Sequence, residues 1–274
     1  TASAAAALAM TAGSALQAAE VQTFPCSTTE EFIALFQKQV EETPDKIYFH
    51  PYTGFFVEDV VNDNLQGERQ LYTYIADETP HCASSVFVAV PNGEEAVPFL
   101  TETGWVALAD QYKFLLHAMV PEGDAWGEEE NELVYMSAAF ALGSKTINYS
   151  PYTGNYYFVG YGEGGTYLEE YLMSAPDNIA GMVILDGSSI SADYLAKMAE
   201  TPAIAVDKMA SEVQAPVWIV EKEFSEEAQA VVDYWKQADK VDEAAYTVKA
   251  VSYPTDVYFE SAVSTQAQVN DYAL

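Results

Sequence analysis

The sequence predicts an α/β protein with a mostly parallel sheet and helices on both faces. Short apolar runs such as "SSVFVAVPNGE" (84–94), "FLLHAMVPEG" (114–123) and "GMVILDG" (181–187) have the length and continuous apolar character of strands buried on both faces. Helical patterns separate them, as parallel strands joined by crossovers require. The 274 residues, half of them apolar, suffice for one large core, and no linker divides the series.

The opening "TASAAAALAMTAGSALQAAE" reads as the later part of an export signal, with small residues near a cleavage point, or as an Ala-rich helix. It lacks a basic start. "TTEEFIALFQKQVEE" (28–42) begins with a capping box, Thr28 and Glu31, and continues as an amphipathic helix. Residues 1–45 are therefore set apart from a single α/β domain over 46–274. "RQLYTYIAD" (69–77) alternates like a strand. The run at 84–94 is a buried strand ending in a Pro-Asn-Gly loop, "FLTETGWVALADQYK" (99–113) is one helix, and 114–123 is a second buried strand. "ELVYMSAAFALGSK" (132–145) is helical, and "NYYFVGYG" (155–162) is a strand leading into the helix "GTYLEEYLMSA". "GMVILDG" and "APVWIVEKE" (215–223) are strands, "SEEAQAVVDYWKQADK" is a helix, and "YTVKAVSYP" (246–254) closes the series as a strand. "PYTG" at 51–54 and 151–154 is a chance match of turn formers.

The charge narrows the partners. With 42 acidic and 11 basic residues the net charge is −31, a field that repels nucleic acid and anionic membranes. No apolar run reaches the length of a membrane span. The run "GEEENE" (127–132) offers Glu128, Glu130 and Glu132 to Ca²⁺, but without EF-hand spacing it reads as a solvated acidic face, and no metal site is expected. Cys26 and Cys82 have no metal spacing and are either one disulfide or two free thiols; export would favour the disulfide. The chain is read as exported and bacterial, secreted or at the cell surface.

The stretch "YFVGYGEGGTYLEEYL" (157–172) carries the functional question. Gly160, Gly162 and Gly165 fit the dinucleotide pattern Gly-x-Gly-x-x-Gly, with Asp186 at the end of the next strand as the ribose acid. That fingerprint normally opens the first βαβ unit. Here two strand–helix units precede it, and a second nucleotide half is hard to find, so no cofactor is expected. Gly160-Tyr161-Gly162-Glu163-Gly164 also has the frame of a nucleophile elbow, Gly-x-Ser-x-Gly, with glycine at the apex.

Four stretches in order over some 170 residues carry a resemblance to the polyhydroxybutyrate-depolymerase and feruloyl-esterase-like branch of the α/β-hydrolases. "WVALADQYKFLLHAMVPEG" is similar to the family's helix and strand closing on Pro-Glu-Gly, and "YFVGYGEGG" to its elbow. "APDNIAGMVILDG" and "APVWIVEKE" resemble its later strands, the second leading to the catalytic acid. The resemblance implies an α/β-hydrolase-like fold, and acyl transfer by a Ser, an acid and a His in that chain order.

Residue by residue, that chemistry is incomplete. The apex is Gly162, which has no nucleophile and tolerates a positive φ. Ser188 and Ser189 lie one strand away; Asn92, Tyr161 and Ser188 are expected around a pocket. The acid position offers Glu223, or Glu226. Backbone N–H groups of Glu163 and of Gly93 or Glu94 are the oxyanion donors, with the Glu163 carboxylate expected to point away along its helix. His50, His81 and His117 all precede Gly162; His117 reads as a core residue, His50 and His81 as surface residues. After "VSYP" the family would add a strand and the histidine loop, whereas "ESAVSTQAQVNDYAL" is polar, so the domain is read as lacking its C-terminal end. The expectation is a non-catalytic hydrolase-fold domain binding a small ester or acyl ligand, a C-terminal segment or a second domain. The alternatives are an esterase inactive at Gly162 and completed by a further segment, a self-assembling homo-oligomeric surface protein, and, last, a Rossmann oxidoreductase.

Overall fold

The computed structural model describes residues 19–24, 28–145, 156–204, 206–241, 247–252 and 266–271. Eight strands form one sheet: β1 (Val21–Thr23), β2 (Gly54–Val60), β3 (Arg69–Ile75), β4 (Ser85–Ala89), β5 (Leu115–Met119), β6 (Tyr156–Tyr161), β7 (Gly181–Leu185) and β8 (Val217–Val220). Their order is β1-β2-β3-β5-β4-β6-β7-β8. Only β3 is reversed, pairing antiparallel with β2 and β5, and every other pair is parallel. The carboxyl ends of β4, β6, β7 and β8 therefore share one edge, where loops from several strands can converge.

Helices cover both faces. On one side lie α1 (Thr29–Glu42), α4 (Glu129–Lys145), α5 (Gly162–Ser174), α6 (Ala192–Met198) and α7 (Glu226–Asp239); on the other lie α2 (Ala96–Glu102) and α3 (Trp105–Tyr112). The alternation of the central strands explains the two cores. Phe87, Phe158, Met182 and Ile184 face α4 to α7, while Val86, Val88, Leu116 and Val159 face α2 and α3.

The capping box at the start of α1 forms as the sequence predicts: Glu31 N–H donates to Thr28 Oγ1 at 3.2 Å, and Thr28 N–H to Glu31 Oε2 at 3.1 Å. The helix expected over 99–113 is instead two. Gly104 takes φ +86 and separates α2 from α3, and the Thr101 and Thr103 hydroxyls bond back to Val97 O and Phe99 O, loosening the turn before the break. Strands β1 and β2, and helix α6, were not anticipated. The strand expected over 246–254 is β9 (Thr247–Ser252), which pairs antiparallel with β10 (Gln266–Asp271), a strand inside the tail read as merely polar. No helix among the described residues is long and apolar enough to cross a membrane.

Candidate functional site

Strand β6 turns into α5 at Gly162, whose φ is +53, after Tyr161 in an extended conformation. This is the geometry of a sharp strand-to-helix elbow. Its flanking glycines are demanded by close backbone approach. A Cβ on Gly160 would collide with Gly165 Cα, and one on Gly164 would lie 2.7 Å from Trp126 Nε1 and 2.8 Å from Val90 O. The apex differs, because a Cβ on Gly162 would meet Pro91 Cβ at 3.8 Å, an ordinary contact. Space for a side chain exists there; the positive φ is what favours glycine.

The loop after β4 closes over the elbow. Trp126 donates its backbone N–H to Asn92 Oδ1 at 2.9 Å and its indole N–H to Val90 O at 2.9 Å. Asn92 Nδ2 donates to Glu163 Oε2 at 2.6 Å. The Glu163 carboxylate therefore reaches across to the facing loop instead of pointing away along α5, because Asn92 supplies a donor for it. The Gly93 N–H, read as an oxyanion donor, is committed to Asp124 O at 2.8 Å. The N–H of Glu163 lies in the first turn of α5, where helical N–H groups have no partner within the helix.

The other expected site residues are spread further. Tyr161 turns toward α2 and α3, its hydroxyl accepting from Trp105 Nε1 at 3.0 Å and its ring set edge-on to Phe99. Ser188 is not a pocket-lining residue: it is 2% exposed, and its hydroxyl donates into the core, to Glu169 Oε2 at 2.9 Å. Glu223 is exposed. The carboxylate that turns inward after β8 is Glu221, which accepts from Gly187 N–H at 3.1 Å and Ser188 N–H at 2.8 Å. Burial raises its pKa, and the two N–H groups oppose the rise. Asp186, at φ +52, pairs with Lys222.

The histidines lie away from the elbow. His117 is fully buried in the middle of β5, its Nδ1 2.9 Å from Thr73 Oγ1 and its ring stacked on Phe87. His50 and His81 are not the surface residues expected. His50 is 4% exposed and His81 half-buried, with ring centroids 5.1 Å apart under Phe32 and Phe36 of α1. They precede β2 and β4, at the sheet edge opposite the elbow. Cys82 is exposed, and Cys26 lies outside the described residues, so the disulfide expectation does too. Glu132, read with the acidic face, is instead buried and paired with Arg69 at 2.8 Å. Among the described residues no group of three or more His, Cys, Asp or Glu is arranged to hold a metal.

Sequence reasoning missed Glu169. It is fully buried between Ser188 and Trp235, whose indole N–H donates to Glu169 Oε1 at 2.8 Å. Its place four residues after Gly165, on the helix side that packs against the sheet, was the available signal. Burial pushes its pKa up to about 8, and the two hydrogen bonds work against the rise. The unfolded chain releases this proton near 4.5. Between those values the folded state binds the additional proton, so stability falls as pH rises. Glu58 and Glu170, raised to about 7 by burial, act in the same sense. His50 and His117, both lowered to about 3 by burial, act oppositely: their contribution is lost as pH falls from 6.5 toward 3. Thermal unfolding followed across pH should show greatest stability near about pH 5–6, and Glu169→Gln should remove roughly 3 kcal/mol of the decline from pH 5 to 8.

Comparison with known proteins yields folds rather than close relatives. No family model matches the sequence, and no curated protein matches it. Among solved structures, the chain is similar to an acetyl xylan esterase from Aspergillus awamori, with a TM-score of 0.49 at 10% identity over 72% of this chain and 84% of that one. It is also similar to a dienelactone hydrolase-like promiscuous phosphotriesterase from metagenomic libraries, with a TM-score of 0.48 at 12% identity over 68% and 78%. Est1E from Butyrivibrio proteoclasticus gives 0.42 at 13% identity over 67% and 85%. A mostly parallel eight-stranded sheet with one reversed strand, helices on both faces and a glycine elbow at the carboxyl end of a central strand make the fold α/β-hydrolase-like.

Proposed function

We propose that this chain is a non-catalytic hydrolase-fold domain that serves as a binding or partner domain of a larger, exported esterase-type system. The observation that carries this reading is the bridge from Asn92 to the Glu163 carboxylate beside an apex without a side chain. Acyl transfer develops negative charge next to the elbow, and it needs donors aimed at that charge. A carboxylate held there opposes it, and Gly162 supplies no nucleophile.

A second reading is favoured by the room at Gly162, where a Cβ would meet Pro91 Cβ at 3.8 Å, an ordinary contact. On that reading the elbow is a working frame whose serine is absent and whose base comes from a further segment. One experiment separates the two. Native protein and Gly162→Ser are assayed with p-nitrophenyl esters and a fluorophosphonate label. Neither is expected to turn over measurably, because a serine hydroxyl is a weak nucleophile without an adjacent base. The substitution should also destabilise by about 1 kcal/mol, since serine must adopt the left-handed φ. Stoichiometric labelling of Gly162→Ser with turnover above about 1 s⁻¹ would sink the non-catalytic reading. Labelling only after a second polypeptide is added would support the completed-esterase reading.

A further inference from the structure

A cavity of about 640 Å³ opens at the carboxyl edge of the sheet, between α2, the start of β3 and the turn that follows β5. Its volume lies within the range of small-molecule sites, roughly 300–1,000 Å³. Its described lining holds none of residues 157–165, and Gly162 takes no part in it, so it stands whether or not the elbow is catalytic. Its walls carry Val21, Val97, Val120 and Pro121, with the half-buried ring of Tyr72 between them. Glu68, Glu94, Glu95, Glu102 and Glu122 also line it, and among the described residues no lysine, arginine or histidine takes part.

The neutral polar groups of the lining point the same way. The Tyr72 hydroxyl donates to Gln70 Oε1, the Gln70 amide donates to Asp59, and the Thr101 hydroxyl donates to Val97 O. The two hydroxyl donors are thus committed within the protein, and the five carboxylates add acceptor oxygens to the cavity. None of the five glutamates forms an ion pair found among the described residues. An apolar wall with an aromatic ring, acceptor lone pairs and unbalanced negative charge matches one ligand chemistry. We infer that the cavity binds a small organic cation that joins an ammonium or guanidinium group to an apolar or aromatic body. The charged head would sit among the glutamates, and the body against Val97, Val120 and the Tyr72 face, where a cation–ring contact adds to the attraction.

This assignment separates from the general attraction of an acidic protein for cations. An acidic surface holds a polyamine through charge alone, and salt removes it. The cavity should hold a cation with an apolar body and prefer it to the same body without charge. The test uses the full chain and three probes in calorimetric titrations at 0.15 M salt: tryptamine, its neutral analogue tryptophol, and spermidine. Tryptamine is expected to bind at one site, at least tenfold more tightly than either comparison. Glu68→Gln with Glu95→Gln should weaken tryptamine by about tenfold, while Glu41→Gln with Glu42→Gln, on the exposed end of α1, should leave it unchanged. Thr101→Trp, on the exposed surface of α2, should block the cavity with the fold intact by circular dichroism. The inference is overturned if spermidine binds as tightly as tryptamine, if both glutamine pairs have equal effects, if Thr101→Trp binds normally, or if no saturable site is found. Tight binding of tryptamine only after removal of residues 1–18 would also overturn it, since the cavity would then belong to the chain's own N-terminal segment.

Discussion

Gly160→Ala is expected to lower the free energy of unfolding by about 3 kcal/mol or more, near the upper end for overpacking. The neighbour that a Cβ would strike is the backbone of Gly165, with Ile184 Cδ1 at 3.1 Å on the other side. A side chain can rotate away from an intruding methyl, but the Gly165 backbone belongs to the second turn of α5. To make room, α5 would have to lift from the sheet. That movement would also strain the neighbouring contacts at Gly187, where a Cβ would stand 2.5 Å from Gly162 O. Gly162→Ala tests the distinction between space and backbone conformation. It has room and should cost only about 1 kcal/mol, through its φ of +53. Urea unfolding followed by tryptophan fluorescence measures both. Equal losses for the two variants would mean that the elbow is not held by the Gly160–Gly165 approach.

The elbow was legible in the sequence for the same reason it is fragile. Close approach demands glycine at 160, 164 and 165 and a positive φ favours it at 162, so the frame stands out between a strand and a helix. The central strands were legible because their continuous apolar runs have few other interpretations. Strand β2 was not, since "GFFVEDV" pairs adjacent phenylalanines with adjacent acids and keeps neither a clean alternation nor a continuous apolar run. The reversal of β3 is a property of its partners and leaves no mark in "RQLYTYI". The Glu163 carboxylate was misdirected because its direction is set by Asn92, 71 residues earlier in the chain. His50 and His81 were misread for a similar reason. Each adjoins a proline, Pro51 and Pro80, as turn residues do, and their cover comes from Phe32 and Phe36 on α1. Local pattern thus gives strands, helices and glycine turns, whereas the contents of the site depend on contacts between distant segments.

Arg69→Met should destabilise the protein by about 3–5 kcal/mol, because it leaves a buried carboxylate without its counter-charge. Arg69 is 2% exposed and Glu132 1% exposed. The Arg69 guanidinium lies 3.7 Å from the centre of the Tyr135 ring and 5.6 Å from that of Trp126, and its Nη2 also donates to Val120 O at 2.9 Å. Glu132 Oε1 accepts from Gly127 N–H at 2.8 Å, which fixes the chain beside Trp126. Trp126 in turn holds Val90 and Asn92. The ion pair therefore supports the loop that closes over the elbow, and its loss should loosen the Asn92–Glu163 bridge as well as the core. Because Arg69 Nε and Nη1 have no hydrogen-bond partner among the described residues, the pair is incompletely satisfied and offsets little more than its own desolvation. Replacing both ends, Arg69→Met with Glu132→Leu, should therefore recover most of the loss. Denaturant unfolding of the two single variants and the double variant closes the cycle. A double variant as unstable as the sum of the singles would mean that each side chain acts through separate packing, not through the other's charge.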